Sequence, residues 1–266
     1  MTDDTLKTLA DLVADMDGEP GRLTAHIPAS WMQGRTAFGG ITAALALAAV
    51  RASLPDLPML RSLQMTYMRP VSKDVTFAVE LIRAGRSASF VRVDCYSDDA
   101  LGAQAIFVFG AARDSKQKHQ ILPPPATLPA PESCPDFTRR KNAPGFVSNF
   151  QMRMADGDRL ISGSDRPEFS VWARLIHCNG VAPDVALTCL ADALPPAAMT
   201  GFTAPAPIST ITWGIDFAHI PDPDSWVRIR TSSRQADEGY SLQDMDLRDE
   251  SGRLLASAQQ LVALFD

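Results

Sequence analysis

The stretch Asp184-Val-Ala-Leu-Thr-Cys-Leu-Ala-Asp192-Ala-Leu-Pro-Pro196 decides how the chain is read. From Val185 to Ile215 the only charge is Asp192; the nearest charged residues are Asp184 and Asp216. Pro183-Asp184 starts a helix and Pro195-Pro196 stops it, so a helix is expected over Asp184–Leu194. Nearly every side of it is apolar or small, which predicts burial all round. A carboxylate in such surroundings loses hydration, at a cost of several kcal/mol unless partners are supplied. Two readings are open: a capping or surface carboxylate, or a buried base with a raised pKa. The apolar neighbours favour the second. Placement near the helix C-terminus, where bare carbonyls disfavour an anion, suits a functional group better than a stabilising one.

Working outward, a second helix of the same character appears upstream. Thr36-Ala37-Phe38-Gly39-Gly40 leads into Ile41-Thr-Ala-Ala-Leu-Ala-Leu-Ala-Ala-Val50, an apolar run that must be wrapped by other structure. It is too short to span a bilayer. Strand patterns follow over Leu60–Arg69, Val75–Arg83, Ser89–Tyr96 and Ala103–Phe109, joined by turns at 70–74, 85–87 and 97–102. Short connections predict antiparallel pairing. After the Asp192 helix come four more strands, Ile208–His219, Trp226–Arg234, Tyr240–Arg248 and Leu254–Phe265. Strands are also expected over Phe146–Met154 and Glu168–His177, and a surface helix over Leu6–Met16.

Each half thus has a buried helix followed by four antiparallel strands. The turn at Asp98-Asp99 matches that at Asp249-Glu250, and Arg69-Pro70 matches Ile220-Pro221. This is a tandem repeat of one long α+β unit. Asp114–Pro144 holds seven prolines and reads as an extended linker. The expected division is 1–113, a linker at 114–145, and 146–266.

Composition narrows the function. With 25 Lys+Arg against 31 Asp+Glu, the net charge is -6, which argues against general nucleic-acid binding. Arg139-Arg140-Lys141 reads as a solvated patch. Cys95, Cys134, Cys178 and Cys189 form no C-x-x-C pair, which suits a reducing, cytoplasmic setting. The N-terminal Met-Thr-Asp-Asp-Thr-Leu-Lys lacks the pattern of a signal peptide. No membrane association is expected. His26, His119, His177 and His219 have no metal-binding spacing, and there is no nucleophile elbow, dinucleotide fingerprint or P-loop. No metal and no cofactor are expected.

On the last strand, one face reads Leu254, Ala256, Ala258, Gln260, Val262, Leu264, and Gln260 is its only polar member. A buried amide needs partners. On the strand from Ile208, alternation puts Ile211, Trp213, Ile215 and Phe217 on one face, with Thr210, Thr212, Gly214 and Asp216 on the other. An Asp, a Thr and a Gln offered to one pocket orient a water: the carboxylate accepts its proton while hydroxyl and amide fix its lone pairs.

Phe38-Gly39-Gly40, Tyr67-Met-Arg69-Pro70, Gly85-Arg86-Ser87 and Leu254-Leu-Ala-Ser-Ala-Gln-Gln260, in this order, resemble type II acyl-CoA thioesterases of the double-hotdog kind. The resemblance implies two hotdog folds in one chain, two antiparallel sheets each wrapped around a central helix. It carries the family's catalytic Asp, Thr and Gln onto Asp192, Thr210 and Gln260. Thr212 and Gln259 stand beside the latter two as alternatives. The best-known members have an Asp-His pair where this chain has Thr212-Trp213. Phe38, Gly39 and Gly40 are the expected substrate-binding segment, with helix N-terminal N–H groups there as oxyanion donors. The expected activity is hydrolysis of an acyl-CoA by activated water, with one site per chain and a homodimer as the assembly. A hotdog hydratase or dehydratase is a rival, though the chain lacks its Asp-x-Asn-Pro-x-His run; a non-catalytic acyl-CoA binder is another.

Overall fold

The computed structural model describes residues 7–120, 129–138 and 143–266. Arg139-Arg140-Lys141 and the middle of the proline-rich segment lie outside them. The first half contains α1 (Leu9–Ala14), β1 (Asp17–Glu19), β2 (Arg22–His26), β3 (Met32–Gln33), β4 (Thr36–Ala37), α2 (Gly39–Ser53), β5 (Leu60–Tyr67), β6 (Asp74–Ala84), β7 (Ser89–Ser97) and β8 (Ala100–Phe109). The second contains β9 (Phe150–Gly157), β10 (Glu168–Leu175), α3 (Pro183–Ala191), β11 (Ile208–Phe217), β12 (Val227–Asp237), β13 (Tyr240–Arg248) and β14 (Leu254–Leu264).

Two separate sheets were the expectation, and the structure corrects it. Twelve strands form one sheet in the order β1-β2-β6-β7-β8-β5-β11-β14-β13-β12-β10-β9, beside a small β3-β4 ribbon. The halves join where β5 pairs antiparallel with β11, Thr66 opposite Thr212 and Ser62 opposite Asp216. Each strand would otherwise leave an open row of backbone donors and acceptors at a sheet edge, and pairing them satisfies both rows. The order β6-β7-β8-β5 is mirrored by β11-β14-β13-β12, as the repeat predicts. The mirror extends to irregularities: β5 is bulged between Leu60 and Ser62, and β11 between Thr210 and Thr212.

Helix α2 is alanine- and leucine-rich, a composition of high helix propensity, and is buried continuously from Gly40 to Val50. It packs on β2, β6, β7 and β8, and also on α3. Helix α3 starts with Pro183 in its first turn and is capped by Asp192. The two helices run antiparallel. At one end Arg51 of α2 donates to Asp184 of α3 at 2.6 and 3.0 Å, and also to the carbonyls of Leu57 and Pro58. Asp184 is buried, so this ion pair locks the helix register from one side. At the other end, the N-terminus of α2 meets the C-terminus of α3.

The segment expected to be a strand from Phe146 is a 3-10 turn over Gly145–Asn149 before β9 begins. Its Phe146 stacks on Phe38 with ring centroids 4.2 Å apart, which ties the entry of the second half to the entry of α2. Among the described residues, no helix is long and apolar enough to cross a membrane.

Candidate active site

Asp192 sits where the two helix ends meet. It is the C-cap of α3, the unfavourable end for an anion, yet it faces the favourable end of α2. The Gly40 backbone N–H donates to its carboxylate. Gln260 Nε2 donates to Asp192 Oδ1 at 2.6 Å. These two donors hold the carboxyl down; burial pushes it up and prevails, lifting it from 3.8 to about 7. A carboxylate that changes protonation near neutrality can take and return a proton.

The glycines before α2 are dictated by close approach. A Cβ on Gly39 would lie 2.7 Å from Asp192 Oδ2 and 3.1 Å from the Tyr67 hydroxyl. On Gly40 it would collide with the Phe38 ring and with the Cys189 carbonyl of α3. Only glycine lets the α2 terminus reach the carboxylate.

The bulge in β11 settles which threonine faces inward. Directly opposed residues share a sheet face. Thr210 is opposite Val262, then Thr212 is opposite Leu261 and Trp213 opposite Gln260. Val262 and Gln260 are buried while Thr212 is exposed. The extra residue, Ile211, therefore puts Thr210 on the inner face with Trp213 and turns Thr212 outward, a usual role for a bulge beside a site. Strict alternation had kept both threonines together, opposite Trp213. Of the two glutamines, Gln260 is buried and Gln259 is exposed, donating to Asp244 at 3.0 Å.

Asp192, Thr210, Gly39, Thr42 and Tyr67 line one cleft of about 320 Å³, with Arg69 and Ser209 among its other walls. Phe38 is not among them; it is 1% exposed, packed against Phe146 and Phe150. Of the expected binding segment, Gly39 lines the cleft, Gly40 supplies a donor, and Phe38 is core. Tyr67 was not singled out as a site residue. Its hydroxyl donates to the Gly39 carbonyl at 2.9 Å, and burial, with the Asp192 charge beside it, pushes its pKa well up. Its place in Tyr67-Met-Arg69-Pro70 was the available signal.

The bulges also show what the first half holds at the equivalent place. Aligning them matches Thr210 to Leu60 and Trp213 to Leu63; Leu60 faces Phe109 and Leu63 faces Phe107 across the ladder. Gln260 therefore corresponds to Phe107. Leu60, Leu63, Phe107 and Phe109 are all fully buried. The first half fills with hydrocarbon what the second half fills with a hydroxyl and an amide. Among the described residues, no three His, Cys, Asp or Glu side chains gather as a metal site.

A model of the acyl-CoA thioesterase N-terminal domain matches residues 27–110, and one of the acyl-CoA thioesterase C-terminal domain matches residues 130–264. A protein of unknown function with a hot dog fold, from Alicyclobacillus acidocaldarius, superposes with a TM-score of 0.85. It is 21% identical, over 98% of this chain and 99% of that one. The acyl-CoA thioesterase II TesB2 of Mycobacterium marinum superposes at 0.75, 18% identical over 97% and 98%. A tesB protein of Mycobacterium avium subs paratuberculosis superposes at 0.79, 18% identical over 98% and 100%. At these identities the likeness establishes the hot dog fold. No curated protein sequence matches the chain.

Proposed function

The chain belongs to the acyl-CoA thioesterase family, whose members are thioester hydrolases, and from that premise we propose that Asp192, Thr210 and Gln260 hold and activate the attacking water. The observation that carries this is the 2.6 Å bond from Gln260, behind the cleft wall, to Asp192, which lines the cleft together with Thr210. The amide on Oδ1 and the Gly40 N–H use two of the carboxylate's roughly four acceptor sites, and a remaining one accepts the water proton. The Thr210 hydroxyl fixes that water from the strand side.

The water attacks the thioester carbonyl and its proton passes to Asp192. The negative charge moves to the former carbonyl oxygen. The first-turn N–H groups of α2 have no intrahelical carbonyl to bond; that of Gly40 already holds Asp192, and that of Gly39, which borders the cleft, serves as the oxyanion donor. Collapse of the tetrahedral intermediate breaks the C–S bond. Asp192 returns its proton to the departing thiolate, which restores the ionised base. A carboxyl near 7 does both steps without a large penalty for either. The substrate is an acyl-CoA whose carrier arm leaves by the open side of the cleft.

We read residues 1–113 and 146–266 as the two hotdog units and 114–145 as the linker, with a single site per chain. The chain as a homodimer remains our proposal for the assembly. The test is release of free thiol from a panel of acyl-CoAs by the wild-type protein, beside Asp192→Asn. Turnover by the first and loss by the second are expected; equal rates would overturn the assignment.

A further inference from the structure

Resting on that reading, the next question is where the acyl group goes. We infer that Trp213 forms the inner end wall of the acyl subsite and restricts the enzyme to short acyl groups.

Trp213 stands directly opposite Gln260, so the two side chains leave the same face with Cβ atoms about 5 Å apart. Gln260 is the residue bonded to Asp192. Along β11 the cleft is bordered by Ile208, Ser209, Thr210 and Ile211, and its wall stops there. The next residue on the inner face is Trp213. An acyl chain whose carbonyl sits at Asp192 and whose carrier leaves by the open side must point inward, toward the indole.

Across the ladder Trp213 is flanked by Gln260 on β14 and Met65 on β5, and inward from Gln260 β14 offers Ala258 and Ala256, both buried. Beside these alanines Trp213, 1% exposed, is the bulkiest side chain. In the first half the equivalent residue is Leu63, by the matched bulges.

The indole N–H supplies a second observation. Trp213 Nε1 is buried and has no hydrogen-bond partner. Buried tryptophans usually bond this group, and leaving it unmade costs on the order of 1–3 kcal/mol. A position chosen for stability alone would not favour that residue. A position chosen for volume at the edge of a ligand site would, since unsatisfied buried groups concentrate where function requires them.

The experiment uses two readouts on wild type, Trp213→Ala and Trp213→Leu, the last matching the first-half residue. Hydrolysis is measured from acetyl-CoA through butyryl-, octanoyl- and dodecanoyl-CoA. Binding is measured by calorimetry with the corresponding S-alkyl-CoA thioethers, which cannot be hydrolysed. For wild type, kcat/KM and affinity should both peak at the short members. They should fall by about tenfold or more toward dodecanoyl, the scale set by a few methylenes that do not fit a pocket. Both variants should gain about tenfold or more with the longer members and shift the optimum to them. A wild type that handles dodecanoyl as well as butyryl, or folded variants with an unchanged profile, would overturn the wall. If the thioethers show the chain-length order but no thioester is hydrolysed, the catalytic reading fails and the wall stands.

Discussion

Replacing Asp192 with asparagine (Asp192→Asn) should lower activity and raise stability at once. Asparagine keeps the shape, and its carbonyl oxygen can still accept from Gln260 as Oδ1 now does at 2.6 Å. What is lost is the ability to take a proton. A positioned general base is worth about 10²–10⁴ in rate, so kcat should drop by that factor with the fold intact. The stability effect follows from the same carboxyl. In the unfolded chain it ionises near 3.8, and in the folded protein at about 7. The folded state therefore holds the proton more tightly, and its stability relative to the unfolded chain falls as pH rises from about 3.8. The loss is complete once pH passes about 7. That gap of about three pH units, at about 1.4 kcal/mol each, gives roughly 4 kcal/mol as an upper bound, lowered because Asp192 keeps some contact with solvent at the cleft. Asparagine carries no such penalty. Urea denaturation should find the variant more stable than wild type at pH 8, by up to a few kcal/mol, with the difference shrinking toward pH 4. Thiol release from acyl-CoA measures the activity on the same samples. A variant that turns over near the wild-type rate, or one whose stability advantage grows as pH falls, would refute the reasoning.

Two further outcomes follow from the same geometry. Because the base must be ionised, kcat/KM should fall about tenfold per pH unit below about 7; Gln260→Leu removes a bond that holds the carboxyl down, so this limb should move to higher pH, and a downward or absent shift in the pH profile counts against the pair. Thr210→Val should cost about tenfold in kcat/KM, the worth of one hydrogen bond, while Thr212→Val on the outer face should leave kinetics unchanged; the reverse order in steady-state assays would mean that the β11 bulge does not orient the site as described.

Much of this arrangement was legible in the residues, and the failures share a cause. The helix over Gly39–Ser53 and the strand at Tyr240–Arg248 declared themselves because their periodicity is local. So did Asp192, since a lone carboxylate in an apolar run is visible without coordinates. The pairing of β5 with β11 was not legible: whether two units keep separate edges or share them depends on contacts about 150 residues apart. The bulge at Ile211 was hidden as well. It adds one residue to a strand whose threonines and apolar residues alternate without interruption, so the sequence offers no sign of where alternation breaks. That one residue turns Thr210 inward and Thr212 outward. The last strand has no such break around Gln260, and there alternation placed the amide on the buried face correctly. Phe38 is a different case: its neighbour Gly39 borders the cleft and Gly40 reaches Asp192, but its own ring turns into the Phe146–Phe150 cluster. The electrostatics of Asp192 were half legible. The unfavourable end of α3 could be read from Pro195-Pro196; the compensating N-terminus of α2 could not, because it is brought there by the antiparallel packing that Arg51 and Asp184 fix at the far end.

The most direct measurement is the source of the oxygen in the product acid. A single turnover of acyl-CoA, with enzyme in excess, is run in water enriched in oxygen-18. If Asp192 activates a water held with Thr210 and Gln260, the first product molecule carries the label and the protein carries none. Unlabelled product, with the label recovered in the Asp192 carboxylate, would mean that the carboxylate itself attacked the thioester, and the water-activation account would be wrong.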